Sequence, residues 1–344
     1  MGIKYPGKRW SAGTILLLLY WLMMVGMVVN AGIYYDRTQR LRKLASLVSD
    51  QLNLSKEKVE IASSICKADL VSDLVGEFPE LQGVVGRYFA TEQGFEEDVA
   101  KAISDHYLPI GTNSEVPKKS ISIAVSLIDK IDLLVGFFGI NEKPTSSKDP
   151  FALRRTGIGL LRTIIENNLT LHLKDLINYS VVIYREQNVK FSNDLVLKDI
   201  LIFLRERFKN LLKDKKIRND IIEAVGASNV SDDFLILYKK CLIINKNIAK
   251  DICKDIIGTY KRASNIIDQE LKDGKKTIVG QPESFLFKKD EEKHLYEKIN
   301  EIRKYFSSSK KRESYDETLK ILAGAKIITD NFFDNVIVND KNSD

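Results

Sequence analysis

Lys148, Arg154 and Arg155 gather around Asp149-Pro150, the clearest offer of chemistry in this 344-residue sequence. An aspartate can accept from the free amides at a helix start, and a proline in the first turn gives up no useful donor. The pair therefore predicts a helix opening at Asp149-Pro150. Free amides and the helix dipole attract anions, and the flanking cations would add to that attraction. Two uses follow: contact with a phosphate, or ion pairing inside the protein. Other groups offer less. Gly157-Ile158-Gly159 lacks the third glycine and preceding strand of a dinucleotide site and reads as close helix packing. Cys66, Cys241 and Cys253 form no CxxC pair, so neither a disulfide framework nor a zinc site is indicated and a reducing compartment is expected. His172 and His294 stand alone as structural or solvent-facing residues, and no Walker loop or nucleophile with an adjacent base appears.

The elements that must position these residues are helical. Leu41, Leu44, Leu47, Val48 and Leu52 recur at the spacing of one helix face, with Arg37, Arg40, Arg42 and Lys43 expected on the outside. Ser55 is placed to cap a second helix running through Val59, Ala62, Cys66, Leu70 and Leu74, and Gly76–Glu80 breaks it. Further helices are expected over 81–91, 95–106, 119–138, 171–186, 194–213, 217–226, 231–244, 246–272 and 288–306. The stripe Ile244, Ile248, Ile252, Ile256 reads as core, Gly274–Pro282 as a turn or linker, Ser307–Arg312 as a solvated loop and Asp340–Asp344 as a frayed tail. Period-two alternation is nearly absent, so the expected class is all-α and multi-domain.

Charge is uneven although the net value is only +6. From Asp69 to Asp98 eight acidic residues face one base, Arg87, whereas Lys239 to Arg262 holds seven bases and two acids. The basic half could meet a polyanion, and a solvated helix face is the plain alternative. Residues 12–29 form an uncharged apolar run behind Lys4, Lys8 and Arg9. As a helix it would extend about 27 Å, enough to span a bilayer. A membrane anchor, a secretion signal and a displaced reading frame all remain open for it.

Several irregular runs carry more than periodicity: Tyr35-Asp36-Arg37-Thr38, Lys67–Arg87, His106-Tyr107-Leu108-Pro109, Asp129–Gly136, Lys143–Arg155, Tyr260–Ile266 and Phe332–Asn339. In this order they resemble the later two-thirds of the β subunit of the bacterial two-subunit glycyl-tRNA synthetase. The resemblance implies an HD-like helical domain over 32–140, a helical body over 141–230 and an anticodon-binding helical domain of the DALR type over 231–344, with 1–31 atypical for the family. It also implies a fragment, shortened at both ends.

What the resemblance implies about sites is limited. HD phosphohydrolases hold a divalent metal with histidines and aspartates to activate water. Here Asp69, His106 and Asp129 stand in the matching places, a degenerate set that implies no metal. Lys148, Arg154 and Arg155, and then Lys261, Arg262 and Asn265 in the anticodon-domain motif, become the candidate tRNA contacts, with Asn265 able to bond a splayed base. The implied partners are the synthetase α subunit and glycine tRNA. ATP and magnesium would be used by that α subunit, leaving this chain without a cofactor or catalytic residue of its own, in the cytoplasm. An HD-type metal phosphohydrolase and a membrane-tethered helical interaction protein are the competing readings.

Overall fold

The computed structural model describes residues 34–337 apart from 112, 146–147, 228–231, 249, 273–279, 281 and 309–314. The apolar run 12–29, most of the 274–282 turn, residues 309–312 of the expected loop and the tail lie outside the described residues. The described chain is helical and without strands, as its periodicity predicts. It divides into two compact units, Met1–Tyr238 and Lys239–Asp344.

The first unit contains α1 (Tyr34–Leu52), α2 (Lys56–Ile65), α3 (Asp73–Glu77), α4 (Val84–Glu92), α5 (Glu97–Asp105), α6 (Ser120–Gly139), α7 (Leu153–Glu166), α8 (Leu173–Glu186), α9 (Val196–Asp214) and α10 (Asn219–Ala227). Helix α11 (Phe234–Asn247) spans the division. Helix α6 is the axis, packed against α1, α2, α5, α7, α8 and α9. It is apolar on nearly every side, the pattern of a helix enclosed by others. Each fully buried leucine or isoleucine there contributes about 1.5–3 kcal/mol. Close approach depends on glycine at two crossings. A Cβ on Gly157 would lie 2.7 Å from the Phe203 ring, and one on Gly159 3.1 Å from Lys130 Cε, so this GxG is a packing feature.

Four local details depart from expectation. Helix α2 stops at Ile65, short of Cys66, Leu70 and Leu74, because a tight turn over Ala68–Val71 follows, held by Asp69 accepting from Gly83 N, and Ser72 caps α3 separately. Ser55 occupies the cap position of α2 with extended backbone, yet its side chain makes no cap bond. Helix α7 opens at Leu153, three residues beyond Pro150, because Ala152 takes left-handed backbone at φ 52° and inserts an extra bend. Asp149 still caps the helix, accepting from Leu153 N at 2.8 Å and Arg154 N at 3.0 Å. Ser307 and Ser308 complete a helix where a loop was expected.

The second unit continues with α12 (Asp251–Lys272), α13 (Asp290–Ser308), α14 (Tyr315–Ala323) and α15 (Lys326–Asn335). Helix α12 packs on α14 and α15, and α13 packs on α15. The isoleucine stripe is half-buried rather than core, since a turn, with Lys250 N donating to Asn247 O at 2.8 Å, separates α11 from α12 and breaks the spacing.

Candidate functional site: a buried ionic centre and its basic cavity

The centre of the first unit is polar. Helix α1 supplies Arg37 and Arg40, and α6 supplies Asp129, Lys130 and Asp132 from inside its apolar length. The turn after α2 supplies Lys67 and Asp69, and the end of α5 supplies His106 and Tyr107. Asp129 accepts from an Arg37 Nη at 2.8 Å and from Lys67 Nζ at 3.1 Å. Asp132 accepts from Arg40 Nε at 2.8 Å. Arg40 also lies over the Tyr184 ring at 4.1 Å.

Lys67 explains how the candidate HD-like positions relate. Its ammonium lies 2.8 Å from His106 Nε2, while His106 Nδ1 is 2.7 Å from the Ile103 carbonyl. The carbonyl can only accept, so Nδ1 carries the proton and Nε2 accepts from Lys67. Lys67 thus sits between His106 and Asp129, with the Tyr107 ring 4.2 Å away. Asp69 turns elsewhere, accepting from Gly83 N at 2.6 Å. It holds the positive-φ turn at Gly83 and makes no ion pair among the described residues. A divalent metal fits this arrangement badly: it would need the space of the Lys67 ammonium, and no group of three or more His, Cys, Asp or Glu side chains placed to hold one occurs among the described residues.

Burial sets the proton states. Burial alone would raise the Asp129 carboxyl, but Lys67 and Arg37 hold it far below the usual range. Burial, then the Lys67 charge, keeps the His106 pKa well below 6.5. Lys130 is pushed down to about 8 by burial, with Lys67 adding to the effect and Asp129 opposing it. Its ammonium donates to Leu108 O and Ser126 Oγ, both at 2.7 Å, and to His106 O at 3.1 Å, all neutral acceptors.

His106 carries a pH prediction. A group whose folded pKa is depressed contributes stability above its unfolded pKa and loses it as pH falls toward the folded one. The denaturation midpoint should therefore drop as pH falls from 6.5 toward 5, and His106→Gln should flatten that drop while lowering the plateau. Denaturant titrations at pH 7.5, 6 and 5 measure it; a wild-type midpoint constant across the three would refute the assignment.

A cavity of about 330 Å³ opens over this centre. His106, Asp129 and Arg155 all line it, joining two groups of candidates that the sequence kept apart. Arg155 is exposed at the start of α7 and makes no ion pair among the described residues. Arg154 instead donates to the Thr145 carbonyl, and Lys148 is exposed. In the second unit Lys261 and Asn265 are exposed. Arg262 is held by Asp334 at 2.7 Å and Asp330 at 3.4 Å and lies 5.0 Å over Phe333, tying α12 to α15. Arg37 and Arg40, expected on the outside of α1, are buried instead, drawn inward by Asp129 and Asp132, and sequence reasoning missed Lys67, Lys130 and Asp132 as site residues. Three charges within four residues of an apolar helix, Asp129, Lys130 and Asp132, were the available signal.

Comparison with known proteins identifies the lineage. The family model described as glycyl-tRNA synthetase beta subunit matches residues 22–227, beginning inside the apolar run. The glycine–tRNA ligase beta subunit of Rhodospirillum centenum is 36% identical over 312 residues, covering 90% of this chain and 43% of that protein. The corresponding subunit of Rickettsia canadensis is 35% identical over 336 residues, 98% of this chain and 48% of its own length. That of Clostridioides difficile is 34% identical over 314 residues, 91% and 44%. The chain spans less than half the length of these relatives. With the likeness running along nine-tenths of its residues, the chain belongs to the glycyl-tRNA synthetase β-subunit family.

Proposed function

We propose that the chain is a tRNA-binding part of a glycine–tRNA ligase β subunit, supporting glycylation carried out on an α-subunit partner. The observation that carries this reading is the match to relatives named as that subunit over at least 90% of the chain. In this reading Lys148, Arg155, Lys261 and Asn265 touch the tRNA from the surface, and Arg154 and Arg262 shape the segments that present them. ATP and magnesium belong to the α subunit, and the chain alone does not aminoacylate. The surface from Val71 to Phe89 is the proposed protein-facing side. Val71, Leu74, Phe78, Val84, Tyr88 and Phe89 are 41–75% exposed there among acidic residues that would repel RNA. The ionic centre disfavours the hydrolase alternative, because Lys67 lies where its metal would bind.

The test is binding of the purified chain to glycine tRNA and to an unrelated tRNA across a salt series. Preference for glycine tRNA with steep salt dependence is the expected result. Lys261→Ala should weaken both tRNAs alike and reduce the logarithmic salt slope by about 1. No binding by the folded chain would reject the reading.

A further inference from the structure

The cavity over the ionic centre has an excess of positive charge. Arg37, Lys67, Lys130 and Arg155 line it against one carboxylate, Asp129. The next carboxylate, Asp132, is engaged by Arg40 and faces Arg37 Nε at 3.6 Å, beyond hydrogen-bond reach. That Nε, in a side chain nine-tenths buried, has no hydrogen-bond partner among the described residues. Lys130 is buried with only neutral oxygens around its ammonium. Lys130 is thus a buried cation with no carboxylate at its ammonium, a costly state, so the arrangement favours an anion entering from solvent. Arg155 stands at the mouth, exposed and without an internal ion pair among the described residues. Asp149 already covers the Leu153 and Arg154 amides, so an anion would be held by side chains rather than by the helix end.

The walls ask for something flat and apolar as well. Tyr107, Phe137 and Phe151 line the cavity, with the two phenylalanine rings 4.1 Å apart, and Gln82 offers an amide on the same lining. The volume, about 330 Å³, lies at the lower end of small-molecule sites, suited to one nucleotide rather than two.

We infer that this cavity binds a single nucleotide, its phosphate on Arg155 in the electrostatic field of Lys67 and Lys130, and its base against Phe151. The nucleotide is either free or the terminal unit of an RNA strand. The inference rests on the first unit's cavity alone; it survives if tRNA selectivity fails, and tRNA selectivity survives if it fails.

Calorimetry of the whole chain with AMP, adenosine and inorganic phosphate tests it. AMP should bind at least tenfold more tightly than either of the others. Arg155→Ala, an exposed change that leaves the core alone, should weaken AMP at least fivefold and leave adenosine unchanged. At pH 8.5 AMP binding should take up protons, read from buffers of different ionisation enthalpy, because a phosphate near Lys130 favours its charged form. AMP no tighter than adenosine, or insensitive to Arg155→Ala, would overturn the proposal. Competition with a short single-stranded RNA separates the sources: displacement of AMP assigns the site to an RNA end, and failure to displace it assigns the site to the free nucleotide.

Discussion

Asp129→Asn is expected to destabilise the first unit by about 3–5 kcal/mol, the range for breaking a buried ion pair from one side. The substitution preserves shape and removes the charge on which Arg37 and Lys67 both converge, at 2.8 and 3.1 Å. Both cations are largely withdrawn from water, Arg37 8% exposed and Lys67 4%, so solvent compensates little of the loss. Arg37 keeps Asp132 nearby, whereas Lys67 keeps only His106 and the Tyr107 ring. The double variant Asp129→Leu with Lys67→Met should recover a large part of the loss, because apolar groups of similar volume replace a buried pair at little cost. Denaturant unfolding of the whole chain reads both. A loss below about 1 kcal/mol for the single variant would mean the pair is solvated and the centre is not what holds α1 to α6.

Gly136→Val should cost about 3 kcal/mol, from overpacking together with a displaced hydrogen bond. A Cβ at Gly136 would stand 3.1 Å from Tyr184 Cζ and closer still to its hydroxyl. Tyr184 is fully buried and donates from that hydroxyl to the Asp132 carbonyl at 3.1 Å. Any side chain on Gly136 must push the phenol away from α6 and from Arg40, whose guanidinium stacks on it. Tyr184→Phe in the Gly136→Val background should relieve part of the clash. Thermal melts of the two single variants and the double variant decide this; strictly additive losses would show that residue 136 and Tyr184 do not meet.

The sequence was most legible where a feature is local. Helical spacing located α1, α6, α9 and α12, because burial of one face leaves a mark every three to four residues. Asp149 was read as a cap and is one, yet the helix start moved to Leu153, since left-handed backbone at an alanine has no sequence signature. The ionic centre was hard to read for a different reason. Arg37 and Asp129 are 92 residues apart, and Lys67 and Asp129 are 62 apart. Pairings at that range leave no periodic trace. Asp69, His106 and Asp129 were read as a degenerate HD-like set without a metal; the Lys67 ammonium joins His106 to Asp129, while Asp69 bonds Gly83 instead. Arg262 appeared as a surface base until Asp330 and Asp334, in helix α15, which the periodic reading had not placed, closed on it.

Lys67 has a consequence beyond stability. An ion that visits a protein has an affinity, a competitor and an exchange rate, and a chelator can remove it. The cation between His106 and Asp129 is attached through its own backbone, so its local concentration is fixed when the chain folds. Neither dilution nor metal starvation can empty that position. A change in the gene is what removes the charge.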